Sequence, residues 1–134
     1  MRYLLDTNIV SDMVRHPRGS VAGRIREIGE QAVCTSVIVA AELRYGVIKK
    51  DAAKLTAQVE AVLGTLEVLP FEPPADITYG EIRSRLEQVG ATIGNNDLLI
   101  AAHALTLGHT LVTDNRREFA RIEELPSEIW LRGV

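Results

Sequence analysis

The length and composition of this chain favour one globular domain. Its 134 residues, 46% of them hydrophobic and 25% charged, are enough to bury one sizeable core and argue against disorder. No apolar stretch reaches the roughly 20 residues of a membrane span, the N-terminus lacks the plan of a signal peptide, and the lone Cys34 excludes a disulfide framework. We therefore expect a cytoplasmic protein with no membrane partner, built as a single domain over residues 1–134.

Strand and helix patterns alternate along the chain. Short apolar runs predict five strands, at about residues 2–6, 32–35, 67–70, 110–113 and 128–131, with helices between them. Such alternation is typical of a mostly parallel sheet that is covered on both faces. The predicted fold class is therefore α/β, with three layers in the order α/β/α.

Residues at the ends of the predicted helices support this division. Ser36 is a suitable N-cap for one helix, Asp51 for the next, and Pro74 suits a first helical position. Gly90 and Gly108 are placed to end helices. An apolar stripe at helical spacing, typical of core packing or of a dimer face, is formed by Leu55, Val59, Val62, Leu63 and Leu66.

Four carboxylates occupy positions that this fold would bring to one cleft. Asp6, in RYLLDTN, and Asp114, in HTLVTDN, each follow an apolar run, which places them at the carboxyl ends of two strands. Glu42, in SVIVAAELRYG, and Asp97, in IGNNDLLIAAHAL, lie near the starts of two helices. Ligands of open α/β sheets bind outside the carboxyl ends of the strands. We therefore expect all four acids at one site.

Three of these acids also have a purely structural interpretation. Asp6 could cap a helix, Asp97 could complement a helix N-terminus, and Asp114 with Asn115 could form a turn. Glu42 is different, because it shares a helical face with apolar residues. A carboxylate in that position requires a cation or a hydrogen-bond partner.

The donor types indicate a divalent cation. Carboxylate oxygens suit Mg²⁺ or Mn²⁺, whereas the sequence lacks the grouped Cys and His of a zinc site, and His16, His103 and His109 have no metal-ligand spacing. A bound ion of this kind activates a water for attack on a phosphodiester and stabilises charge on the phosphate. Both a one-ion and a two-ion site are compatible with the pattern.

Two other chemistries that use an aspartate after the first strand fit less well. Receiver domains and haloacid-dehalogenase-type phosphatases use a lysine after a later strand, and the only lysines here are Lys49, Lys50 and Lys54. The second aspartate of the dehalogenase type is replaced by Asn8. A glycine-rich phosphate loop with lysine is also missing from the sequence.

The motifs resemble those of PIN-domain ribonucleases of the VapC toxin type. The resemblance runs from LLDTN, through the segment from Ser36 to Glu42 and GATIGNNDLLIAAHALTLGHTLVTDNRREFARI, to EIW. It implies a PIN-like domain with about five mainly parallel strands, dependence on Mg²⁺ or Mn²⁺, a homodimer, a VapB-type antitoxin, and an RNA substrate, with tRNA or rRNA as leading classes. The implied catalytic and metal-binding residues are Asp6, Glu42, Asp97 and Asp114, and the implied supporting polar residues are Thr7, Asn8, Ser36, Thr113 and Asn115.

The net charge of −3 is compatible with an RNA substrate, because setting aside the four site acids leaves a charge of +1. Arginine favours bidentate phosphate contacts, and the candidate RNA-binding residues are Arg15, Arg18, Arg116, Arg117 and Arg121. The predicted function is thus a metal-dependent endoribonuclease, the toxin of a toxin–antitoxin pair. The alternative is a catalytically silent PIN-like module that binds RNA or antitoxin, and the complete acidic set favours the enzyme.

Overall fold

The sheet topology places the first and fourth strands side by side. In the computed structural model, which describes residues 2–131, five parallel strands pair in the order β3-β2-β1-β4-β5. The strands are β1 (Tyr3–Leu5), β2 (Val33–Ser36), β3 (Glu67–Leu69), β4 (Thr110–Val112) and β5 (Ser127–Glu128). The chain leaves β1 towards β2 and β3 and then crosses to β4 on the other side. The strand order therefore reverses between β1 and β4, and ligands bind at such reversals.

Helices cover both faces of this sheet, since Leu4 and Leu5, which point to opposite faces of β1, are both fully buried. Within residues 2–131 the α-helices are α1 (Thr7–Arg15), α2 (Ser20–Ile28), α3 (Val37–Lys50), α4 (Ala53–Thr65), α5 (Ala75–Gln88), α6 (Asn95–Leu107) and α7 (Arg116–Phe119). The predicted α/β class with about five strands is confirmed. No helix of this part of the chain is both long and apolar enough to cross a membrane.

Two predicted helix starts are wrong. Asp51 does not cap α4; it ends α3 in a left-handed conformation with φ of 51°, which Asp tolerates better than most residues. Ala52 is the residue that precedes α4. Pro74 likewise stands just before α5 rather than at its first position. The helix stops are confirmed, because Gly90 and Gly108 follow the ends of α5 and α6 with φ of 68° and 71°.

The last strand is shorter than predicted. β5 ends at Glu128, and residues 129–131 are not strand. Trp130 is instead buried, with its ring 5.2 Å from that of Tyr3, so packing overrides the β propensity of the segment.

The apolar stripe of α4 serves the core. Val59 and Leu63 are buried, and the half-buried members pack against the same core. Those half-buried members are Leu55, Val62 and Leu66.

Candidate active site

Asp6 lies at the reversal point of the sheet. It caps α1, with Oδ1 accepting the backbone N–H of Ile9 at 3.2 Å and Oδ2 accepting the hydroxyl of Thr113 at 2.5 Å. Thr113 directly follows β4, and the pairing of Leu5 with Val112 sets the two strand ends side by side. The residue is only 5% exposed, so its carboxylate is held in one orientation.

Glu42 is held from two sides. Its Oε1 accepts the hydroxyl of Thr7 at 2.5 Å, and its Oε2 accepts the side-chain amide of Asn96 at 3.1 Å. Thr7 begins α1 and Asn96 lies in the first turn of α6, so Glu42 stands where α1, α3 and α6 meet. The Glu42 carboxylate therefore has the hydrogen-bond partners that we expected for a charged group on this face of the helix. Its helical face is more open than expected, since Tyr45 is 65% exposed.

Asp97, in the first turn of α6, shares a hydrogen bond with Glu118 of α7. Burial, followed by this contact, raises the pKa of Asp97 to about 7. Burial acts to raise the pKa of Glu118 as well, but hydrogen bonds from Asp97, the Asn115 amide at 2.8 Å and the Gly94 N–H at 3.4 Å bring it below its ordinary value. These opposite shifts place the proton that the pair shares on Asp97 rather than on Glu118.

The remaining acids repel one another across the cleft. Burial raises the pKa of Asp6 to about 6 despite its two hydrogen bonds, and the charges of Asp114 and Glu42 act in the same upward direction. Asp114 is half-buried directly after Thr113. The charges of Glu42 and Asp6 also raise the pKa of Asp97. Charge effects of this kind act between neighbouring groups, so the four predicted acids lie near one another at this end of the sheet.

The donor set of this cleft suits a hard cation. Its donors are carboxylate oxygens, and a positive charge among them would reverse the upward pKa shifts of Asp6 and Asp97. Within residues 2–131, however, no three His, Cys, Asp or Glu side chains are already arranged to hold one ion. An ion bound here would compete with Glu118 for the Asp97 carboxyl group.

The predicted supporting residues divide into two groups. Thr7, Thr113 and Asn115 each donate a hydrogen bond to an acid of the cleft, namely Glu42, Asp6 and Glu118 respectively. Asn8 is exposed on α1.

Ser36 is buried at the start of α3 and contacts other partners. Its hydroxyl accepts the N–H of Ile38 at 3.0 Å and lies 2.8 Å from Nδ1 of His103.

The candidate RNA-binding arginines are all exposed. They lie at the end of α1 and just beyond it, and on and just after α7: Arg15, Arg18, Arg116, Arg117 and Arg121. Arg121 also has a structural contact, because its Nη1 donates to the carbonyl of Thr92 at 2.7 Å. Their role in RNA binding stays a prediction.

Glu118 is the site residue that the sequence reasoning missed. It stands three residues after Asn115, the N-cap of α7, and this spacing is that of an N-cap and its capping glutamate. That pattern could have indicated that a fifth carboxylate is fixed beside the strand end carrying Asp114.

A parallel sheet with an acidic cleft at its point of reversal defines an α/β domain suited to phosphodiester chemistry. The chain belongs to the PIN-domain family, whose model matches residues 3–125, and it is of the VapC ribonuclease type. Ribonuclease VapC2 of Rickettsia felis is 42% identical over 132 residues, 97% of this chain and 98% of that protein. The tRNA(fMet)-specific endonuclease VapC of Shigella flexneri is 32% identical over 131 residues, 97% of this chain and 98% of that protein. The crystal structure of VapBC2 from Rickettsia felis bound to a promoter DNA fragment contains a chain with a TM-score of 0.89 and 40% identity, with 97% of this chain and 99% of that chain covered.

Proposed function

We propose that the protein is a metal-dependent endoribonuclease that acts as the toxin of a toxin–antitoxin pair. The convergence of Asp6, Glu42, Asp97 and Asp114 at the sheet reversal of a VapC-type chain carries this proposal. Glu118 joins the same cleft. We assign the whole activity to one PIN-like domain over residues 1–134, and expect it to act in the cytoplasm because its proposed substrate is cellular RNA.

The four acids and Glu118 have distinct roles in this proposal. Asp6, Glu42, Asp97 and Asp114 would hold Mg²⁺ or Mn²⁺, which when bound supplies an activated water and neutralises charge on the phosphate. The hydroxyls of the two threonines, Thr7 and Thr113, keep Glu42 and Asp6 oriented. In the metal-free site, Asp97 is protonated and hydrogen-bonded to Glu118. Asp97 becomes a ligand only once it has lost that proton.

The proposed substrate is tRNA or rRNA. A relative named as a tRNA(fMet)-specific endonuclease, which matches almost the full length of this chain, favours tRNA as the first candidate to test. Exposed arginines on α7, Arg116 and Arg117, follow Asp114 closely and are available for phosphate contacts. Arg15, at the end of α1, and Arg18, just beyond it, form a second exposed basic group, and Arg121 is a third exposed position after α7.

The proposed protein partner is a VapB-type antitoxin. Neighbouring solved structures are VapBC complexes from Rickettsia felis and Salmonella typhimurium. A groove between α1, α3 and α4 supports this partner, because apolar side chains line it and it runs to Glu42. A segment seated there would reach Glu42, one of the four acids of the cleft. The apolar lining consists of Val14, Leu43, Val47, Leu55 and Val59.

A homodimer is also part of the proposal. Three large apolar side chains of α3 are exposed at positions that share one helical face: Val37, Tyr45 and Ile48. A second copy packing on this stripe would remove them from water. Light scattering on the purified toxin tests this part.

The ends of the RNA products test the enzymatic proposal. RNA cut after brief expression should carry 5′-phosphate and 3′-hydroxyl ends, since no histidine pair stands in the cleft to activate the 2′-hydroxyl within residues 2–131. Excess EDTA should stop cleavage. Cyclic 2′,3′-phosphate ends, or full activity in EDTA, would contradict the mechanism, and no cleavage of any RNA by the antitoxin-free protein would favour the silent binding module.

A further inference from the structure

His103 is a polar side chain within the most deeply buried part of α6. It is 3% exposed, and the residues from Ile100 to Ala104 are all buried. Its Nδ1 lies 2.8 Å from the Oγ of Ser36, and its ring donates a hydrogen bond to the backbone carbonyl of Pro70. The His103 ring also makes a T-shaped contact with the Phe71 ring, with the two ring centroids 5.4 Å apart.

These contacts define the direction of the hydrogen bond to Ser36. Burial lowers the pKa of His103 below its ordinary value, so the ring is neutral and has one N–H. Because that N–H is used by Pro70, Nδ1 accepts, and the Ser36 hydroxyl donates to it. The same hydroxyl accepts the N–H of Ile38 at 3.0 Å, so every polar group of this contact is satisfied.

The contact joins the two helices that carry site acids. Ser36 is the last residue of β2 and the N-cap of α3, which bears Glu42. His103 lies on α6, which bears Asp97. The two helices meet again at the cleft, where the Asn96 amide on α6 donates to Glu42 on α3 at 3.1 Å.

We propose that His103 is a positioning residue of the nuclease site: its hydrogen bond with Ser36 fixes the start of α3 against α6 and so sets the separation of Glu42 and Asp97. The catalytic consequence rests on the proposed function given above. The structural consequence does not rest on the proposed function. The hydrogen bond from the Asn96 amide to Glu42 reports the spacing of α6 and α3 beside Asp97 in the metal-free protein.

A matched pair of substitutions isolates the Ser36 contact. Asparagine places its carbonyl oxygen near the position of Nδ1, so His103→Asn keeps an acceptor for Ser36. Glutamine reaches further, so His103→Gln keeps a donor for Pro70 and leaves Ser36 without its acceptor. Ile100→Val removes one methylene from the same buried helix and controls for a general loss of stability.

The first measurement is the NMR resonance of the Asn96 side-chain amide in metal-free protein, with Glu42→Ala as the reference for a broken bond. His103→Gln should move this resonance towards the reference, while His103→Asn and Ile100→Val should leave it at the wild-type position. An unmoved resonance in folded His103→Gln would overturn the proposal, whether or not the protein cleaves RNA.

The second measurement is steady-state cleavage of RNA with Mn²⁺. His103→Gln should lower kcat about tenfold, as outer-shell changes at metal sites do, with little change in KM, and His103→Asn should restore most of it. A kcat loss no greater than that of Ile100→Val at equal thermal stability would overturn the positioning role. Failure of the wild type itself to cleave would instead overturn the proposed function, and the Asn96 resonance would still decide the positioning.

Discussion

Replacing Asp97 with asparagine separates a metal site from a structural acid cluster. In the folded protein the protonated carboxyl group of Asp97 donates a hydrogen bond to the carboxylate of Glu118. An asparagine amide supplies a permanent N–H donor at the same place and carries no charge that could repel Asp6 or Glu42. Asp97→Asn should therefore remove a cation ligand while preserving the contact that holds α6 to α7.

The effect on stability has a definite sign. Burial first, and the contact with Glu118 second, raise the folded-state pKa of Asp97 from 3.8 to about 7. The ionised group therefore opposes folding above pH 7, and the lost stability returns as the pH falls from 7 towards 3.8. A pKa difference of about three corresponds to about 4 kcal/mol, and partial exposure to solvent reduces this to about 2 kcal/mol.

Thermal melts in EDTA measure this difference. At pH 8.5 Asp97→Asn should melt about 6 °C above the wild type, given about 3 °C per kcal/mol for a domain of this size, and the gap should narrow as the pH falls below 7 and close only near pH 3.8. Near pH 7 the variant should be at least as stable as the wild type.

Cation binding should reverse the order of the two proteins. Mn²⁺ or Mg²⁺ at one hundred times its dissociation constant should stabilise the wild type by about 2.7 kcal/mol and the variant much less, and the variant should not cleave RNA. If the variant melts well below the wild type in EDTA at pH 8.5, and Mn²⁺ shifts both equally, Asp97 is a capping or packing residue and the reasoning fails.

Three further outcomes follow from the site. Arg116→Ala combined with Arg117→Ala should weaken RNA binding and flatten its salt dependence with little change in melting temperature, because phosphate contacts dominate affinity; unchanged affinity and salt slope would assign the RNA to another face. Thr113→Val removes a hydrogen bond that lowers the pKa of Asp6, so the acidic limb of the kcat/KM profile should move to higher pH, whereas Thr110→Val, three residues earlier at the start of β4, should leave the limb in place; equal profiles would refute this. Glu118→Gln removes a charge that raises the pKa of Asp97, so half-maximal Mn²⁺ binding should occur at lower pH than in the wild type, and a shift to higher pH would show that Glu118 does not act on Asp97.

The sequence predicted the fold well because local and global signals agree over most of the chain. Alternating apolar runs and helical stripes specify the five parallel strands, and glycines end α5 and α6. The errors fall where tertiary structure overrides a local preference. Asp51 has the chemistry of an N-cap but closes a two-residue connection in the left-handed region, and Trp130 packs on Tyr3 instead of extending β5.

The site residues that could be predicted from the sequence are those that lie close to the ends of strands. Asp6 follows β1 directly and Asp114 is the second residue after β4, so their proximity comes from the strand order. Glu118 was missed because α7 has only four residues, too few for a periodic pattern to indicate which face turns inward.

The contact of Ser36 with His103 was equally inaccessible from sequence. It joins residues 67 positions apart, and no local pattern reports such a pairing.

Anomalous diffraction from a crystal soaked in Mn²⁺ tests the central claim most directly, because it locates the ion without reference to activity. We predict an anomalous peak bounded by Asp6, Glu42 and Asp97, with the Asp97 carboxylate turned from Glu118 towards the ion, and no such peak in Asp97→Asn soaked in parallel. A wild-type cleft without the peak, at a Mn²⁺ concentration that supports RNA cleavage in solution, would contradict the account.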